Sequence, residues 1–206
     1  MAVILQEHWK CSDTAMEELA LRHLPPSWTD TSSNEVEVAV GDISVHMPHD
    51  LQVTSVVKVV NPYLWCCYQL KKAEYVNRYG SAKEMTLYHA TSRDNMESII
   101  TNNLNWRCSE RVRYGQGISF SPSTTYANFY SKYNFDYKWK NRTDMAMIVA
   151  TVLVNNTAEG NNTNIVPPTG SDTTIGDHYQ VYVKHCDNEF YPEYIIYYKI
   201  YIDDNF

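Results

Sequence analysis

Two short stretches hold the residues best suited to chemistry: Leu87-Tyr88-His89-Ala90-Thr91-Ser92 and Tyr114-Gly115-Gln116-Gly117-Ile118-Ser119-Phe120. In the first, an apolar strand ends in an imidazole and small residues. In the second, a glycine-rich turn leads into another short strand. Glycine removes the Cβ that keeps a ligand away from the main chain, so such a turn permits close backbone contact. The chain also has seventeen tyrosines and five tryptophans. Most of these suit strands with one buried face, and one or two are available as a stacking platform for a flat ring. Taken alone, His89 reads first as a strand-end histidine satisfied by a backbone carbonyl, and core packing on a helix face suffices to explain Tyr130.

Composition bounds what these residues can serve. With 206 residues and 44% hydrophobic content, one domain can bury a good core. A net charge of -7 argues against nucleic-acid binding, which calls for a basic face. No window reaches the roughly 18 apolar residues of a membrane span, and the start lacks the basic flank of a secretory signal. Five cysteines, two of them adjacent at Cys66 and Cys67, form neither a metal-binding pattern nor an even disulfide set. Reduced thiols in a cytoplasmic or nuclear protein are the expectation, with no metal site.

The elements that must position the chemistry follow from periodicity. Thr14 to His23 has helical spacing and ends at Pro25-Pro26. Glu35 to His46 alternates as a strand pair turning at Gly41-Asp42, and Gln52 to Val60 is a strand that stops at Asn61-Pro62. From Pro62 to about Arg78 a helix is expected, with Leu64, Trp65, Tyr68 and Leu70 as its apolar stripe and Gly80 closing it. Met85 to His89 is a strand and Asp94 to Ile100 a short helix. Asn102 to Arg113 is a loop. Ile118 to Ser121 is a strand, Ser123 to Tyr130 a helix and Ala146 to Val154 a buried strand. Asn155 to Asp177 reads as one long polar loop. Tyr179 to His185 and Tyr194 to Ile202 are strands joined by a connection containing Tyr191-Pro192. Short strands with few, separated helices indicate an α+β domain.

Asn61-Pro-Tyr-Leu-Trp-Cys-Cys-Tyr-Gln-Leu-Lys-Lys72, the histidine strand, the glycine turn and Asp187-Asn-Glu-Phe-Tyr-Pro-Glu-Tyr-Ile-Ile196 follow one another in an order that resembles the poly(ADP-ribose) polymerase (PARP) catalytic domain. The helix and the Tyr-Pro-Glu-Tyr strand are most similar to the branch that transfers single ADP-ribose units. The resemblance covers roughly residues 35 to 202. It implies an ADP-ribosyltransferase fold, with two packed, mostly antiparallel sheets and flanking helices over 35–206. Residues 1–34 are left as an N-terminal helix and linker. It also implies NAD as substrate and a protein acceptor; the acidic balance and the lack of an apolar span leave no nucleic-acid or membrane partner expected.

Residue by residue, the resemblance implies that His89 meets the nicotinamide-side ribose. Ala90 stands where the family has glycine and its backbone would hold the carboxamide, and Thr91 matches a serine or threonine. Gly117 belongs to the glycine turn of the pocket. Ser119 falls where the family has a stacking tyrosine, the middle of a catalytic triad. Ala127 replaces a serine whose hydroxyl holds the carboxamide, while Tyr130 matches the second stacking aromatic. Aligning Tyr191-Pro192-Glu193-Tyr194 puts Val181 at the third triad position, a glutamate in polymerising members and hydrophobic in the single-unit branch. Glu193 itself reads as a solvated residue of the next strand. Arg107, Arg111 and Arg113 lie in the loop that would flank the adenosine half of NAD, where they either meet its pyrophosphate or remain solvated.

Two functions follow. One is an NAD-dependent protein mono-ADP-ribosyltransferase of low activity, with no chain elongation. The other is a catalytically inactive member of the same fold that serves as a protein interaction module. NAD binding separates them.

Overall fold

The run Met145–Leu153 explains the architecture, because both of its faces are apolar. Ala146, Ile148, Ala150 and Val152 enter one hydrophobic cluster, while Met145, Met147 and Val149 enter another. A strand buried on both faces belongs inside a sheet rather than at its edge. The computed structural model, which describes residues 6–7, 47–48, 51–109, 112–133 and 145–200, places it there. The helix expected at Thr14 to His23, the strand pair at Glu35 to His46 and Arg111 lie outside the described residues.

Among the described residues the first sheet has five strands. They are β1 (Gln6–Glu7), β2 (Leu51–Val60), β3 (Glu84–Ser92), β5 (Met145–Leu153) and β9 (Phe190–Ile200), in the order β1-β2-β9-β5-β3. All its pairings are antiparallel except that of β1 with β2. The second sheet has four strands, β4 (Ile118–Phe120), β6 (Thr157–Glu159), β7 (Thr173–Gly176) and β8 (Val181–Lys184), in the order β4-β8-β7-β6. Among the described residues three α-helices accompany them: α1 (Pro62–Tyr79), α2 (Met96–Asn102) and α3 (Thr124–Tyr133). The α+β class and the mostly antiparallel pair of sheets expected from sequence are what the chain forms. No helix among the described residues is long and apolar enough to cross a membrane.

Helix α1 begins and ends for local reasons. The Asn61 side chain accepts from the Leu64 N–H at 3.1 Å and donates to the Ile100 carbonyl at 2.8 Å, which ties the helix start to α2. Pro62 sits in the first turn, where a missing N–H costs nothing. Gly80 ends the helix in the left-handed region at φ 77°, a conformation that glycine adopts without a Cβ clash. The expected apolar stripe needs one correction: Leu70 is 69% exposed, and Leu64, Cys66, Tyr68 and Tyr75 are the buried residues.

Two further expectations are corrected. The segment from Asn155 to Asp177 is not one loop, since it contains β6 and β7. Thr173-Thr174-Ile175 is wholly buried, but a run so short has too little periodicity to stand out from a polar context. Tyr191-Pro192 is not a connection either, because β9 runs through it. Pairing of β9 with β2 reaches only to Tyr194, and its pairing with β5 shifts register between Tyr194 and Pro192. The proline therefore falls at a bulge, where its missing donor is tolerated.

Candidate NAD-binding cleft

Strand β3 carries His89 to the seam between the sheets. Its register with β5 is continuous from Glu84 opposite Leu153 to Ser92 opposite Met145, so the strand has no freedom to slip. Tyr88 exchanges two main-chain hydrogen bonds with Ser121, its N–H donating at 2.8 Å and its carbonyl accepting at 2.9 Å. This bridge fixes β3 against the end of β4. One residue on, His89 Nδ1 lies 2.8 Å from the Ser119 carbonyl. A carbonyl only accepts, so Nδ1 carries the proton and the neutral ring keeps Nε2 as an acceptor. Burial pushes the His89 pKa below its ordinary value, and the Ser119 carbonyl opposes that in part. Phe120 meets the ring edge-on at 5.9 Å.

The glycine turn is shaped by what presses on it. A Cβ on Gly115, at φ 126°, would lie 2.6 Å from His185 Cε1. One on Gly117 would lie 2.3 Å from the Lys184 carbonyl oxygen and one on Gly176 would enter the Tyr114 ring at 2.2 Å. Real Cβ atoms do not approach other atoms so closely. These glycines serve the contact of the turn with β7 and β8.

Between β3, β4, α3 and the loop after α2 opens a cleft of about 910 Å³, within the range of small-molecule sites. His89, Ala90, Thr91, Ser119, Ala127, Tyr130 and Val181 all line it. The structure thus gathers in one place residues that span more than ninety positions of chain (Val181 is 92 residues beyond His89). Gly117 is not among the lining residues. It is buried, and it is set back against Lys184 and Val183, which moves it from the ligand surface to the support of the turn. Arg113 lines the cleft and stacks over Tyr114 at 5.0 Å. Arg107 instead pairs with Asp187 at 3.1 Å and covers Trp106 at 4.4 Å. Glu193 is half-buried rather than solvated. It accepts from the Thr151 hydroxyl at 2.5 Å and does not line the cleft.

Sequence reading missed Tyr126. Its ring packs 4.4 Å from that of Tyr130, and it too lines the cleft. The signal was present, since a spacing of four on a helix puts two side chains on one face. Burial first, and then hydrogen bonds to Asp177 and Tyr130, raise the Tyr126 pKa, so its phenol stays protonated. Chemically, the cleft offers one uncharged imidazole acceptor, an aromatic wall of two tyrosines, small residues at the floor and an arginine at the rim.

A family model for the poly(ADP-ribose) polymerase catalytic domain matches residues 34–193. Among curated proteins, the protein mono-ADP-ribosyltransferase PARP12 of Mus musculus is 28% identical over 166 residues, which is 71% of this chain and 22% of that protein. PARP11 of Homo sapiens, of the same description, is 26% identical over 173 residues, 70% of this chain and 51% of that protein. PARP14 of Homo sapiens, also a protein mono-ADP-ribosyltransferase, is 25% identical over 209 residues, 94% of this chain and 11% of that protein. The chain therefore spans between 11% and 51% of the length of these three relatives.

Proposed function

The chain belongs to the poly(ADP-ribose) polymerase catalytic-domain family, and from that premise we propose that it is an NAD-dependent protein mono-ADP-ribosyltransferase of low activity. The observation that carries this reading is the meeting of His89, Ala90, Thr91, Tyr130 and Val181 on one cleft. With the Nδ1 proton committed to Ser119, His89 Nε2 suits a donor such as a ribose hydroxyl. Ala90 supplies the main-chain segment for the carboxamide, and Tyr130 a ring face for nicotinamide.

In the reaction so read, the glycosidic C–N bond breaks with its electron pair leaving on nicotinamide. The ribose passes through an oxocarbenium-like state and a nucleophile of the acceptor protein attacks its anomeric carbon. The protein's work is to bind NAD bent and to favour the departing ring. Val181 supplies no carboxylate to orient a ribose hydroxyl as the next acceptor, so transfer stops at one unit. Ser119 offers no stacking face and Ala127 no hydroxyl. Both omissions weaken substrate binding and lower the rate.

The same omissions, with the methyl group of Ala90 narrowing the slot, favour a second reading: a non-catalytic member of the family that serves as an interaction module. Calorimetry with NAD, on wild type beside His89→Ala, decides between them. Micromolar binding that the variant loses supports the transferase. No heat of binding at millimolar NAD supports the interaction module.

A further inference from the structure

The turn joining β7 to β8 contains three successive residues in the left-handed region, Asp177, His178 and Tyr179, at φ 51°, 53° and 65°. None is glycine, and each Cβ makes that conformation unfavourable. Such a turn persists only where its surroundings hold it. The hold comes from across the cleft, where the Tyr126 phenol donates to Asp177 Oδ2 at 2.6 Å. Within the turn, the Gln180 N–H donates to the Asp177 carbonyl at 3.1 Å. Tyr126 packs in turn on Tyr130 with ring planes 39° apart. Val181, the residue after Gln180, opens β8 and lines the same cleft.

We propose that Asp177 is a positioning residue for ring binding: through Tyr126 it sets the orientation of the Tyr126–Tyr130 pair, the aromatic wall on which a nicotinamide ring would stack. This rests on the reading of the cleft as an NAD site. It assigns to α3 and the β7–β8 turn the ring contact that Ser119 cannot make from β4. Asp177 does not touch the ligand; a carboxylate in the strained turn fixes the phenol that packs on the stacking ring.

Three variants separate this role from a merely structural one. Asp177→Gly removes the acceptor while relaxing the left-handed backbone. Asp177→Asn keeps an acceptor oxygen and tolerates the same φ. Tyr126→Phe removes the donor. Calorimetry with NAD is expected to show about tenfold weaker binding for Asp177→Gly and for Tyr126→Phe, the scale of one lost hydrogen bond. Asp177→Asn should stay within about twofold of wild type. The double variant Tyr126→Phe/Asp177→Gly should be no weaker than Tyr126→Phe alone, because loss of the phenol already removes its bond to Asp177. Unchanged binding in Asp177→Gly, or additive losses in the double variant, overturns the proposal. A second readout does not depend on NAD: the ring resonances of Tyr126 and Tyr130 in protein labelled at tyrosine. They should shift in Asp177→Gly and hold in Asp177→Asn. If wild type binds no NAD, the transferase reading fails, and unmoved resonances in Asp177→Gly overturn the positioning role independently.

Discussion

Lys184 Nζ and Asp172 Oδ1 meet at 3.1 Å with neither side chain reaching solvent to more than 2%. Around this pair the buried polar groups are satisfied in a closed set. Lys184 also donates to the Asp172 carbonyl at 3.0 Å, the Thr173 hydroxyl at 2.7 Å and the Tyr75 hydroxyl at 3.1 Å. Tyr75 donates to Glu189 Oε1 at 2.7 Å, and the other Glu189 oxygen lies 3.5 Å from Lys184. The ammonium thus joins α1, β7, β8 and the turn before β9, and its own carbonyl is the atom against which Gly117 packs. The cleft stands on this buried network without including it.

Removing the cation leaves two buried carboxylates without their partner, which costs about 3–5 kcal/mol. Lys184→Met should lower the free energy of urea unfolding by that much. The triple variant Lys184→Met/Asp172→Asn/Glu189→Gln should recover part of the loss, since no buried charge then remains. A single variant as stable as wild type would mean that water reaches the site.

Substitutions of glycine should follow the space around each one. Gly80 and Gly170 are left-handed but have nothing within 4 Å of an added Cβ, so alanine there costs about 1 kcal/mol. Gly117→Ala drives its methyl group into the main chain of β8 and should cost more, about 1–3 kcal/mol. Thermal unfolding of the three variants should rank Gly117→Ala lowest. Gly117→Ala should also shift the cleft residues Ser119 and His89 through β4, visible as weaker NAD binding.

Ser119 is exposed on β4 and faces the cleft. Ser119→Tyr should restore a stacking face and tighten binding of nicotinamide itself about tenfold, roughly 1 kcal/mol or slightly more. Unchanged affinity would show that position 119 does not look onto the ring of the ligand.

Among the described residues, two buried histidines respond to acid. Burial lowers the pKa of His89 and of His185, and Lys184 next in the chain adds to the shift at His185. The unfolded chain therefore takes up protons first. The stability contributed by neutral histidine is complete above their ordinary pKa of about 6.5 and is lost as pH falls below it towards the folded values. Urea unfolding at pH 7.5, 6.5 and 5.5 should show decreasing stability, with a slope of up to about 1.4 kcal/mol per pH unit for each histidine. His185→Asn should flatten that slope. Stability that rises on acidification would contradict the assignment.

Sequence alone determined the features that are local or repeat at a fixed period. The nearly unbroken apolar run from Ala146 to Val154 announced a buried strand, because a strand covered on both faces has no polar side to alternate with. The helix start at Pro62 and its close at Gly80 were legible because each depends on the backbone preference of a single residue. The histidine strand, the glycine turn and the Tyr-Pro-Glu-Tyr strand carried the resemblance to the family, and residues 34–193 match its model. The tertiary structure decided what no period encodes. Lys184 looks like an ordinary strand-end charge until Asp172, Glu189 and Tyr75 close round it. Gly117 belonged to the ligand in the sequence reading and to β8 in the fold. Asp177 and Tyr126 meet across 51 residues of chain. Each of these depends on which strands become neighbours, and that pairing is set by the burial of whole sheets rather than by any one segment's own pattern.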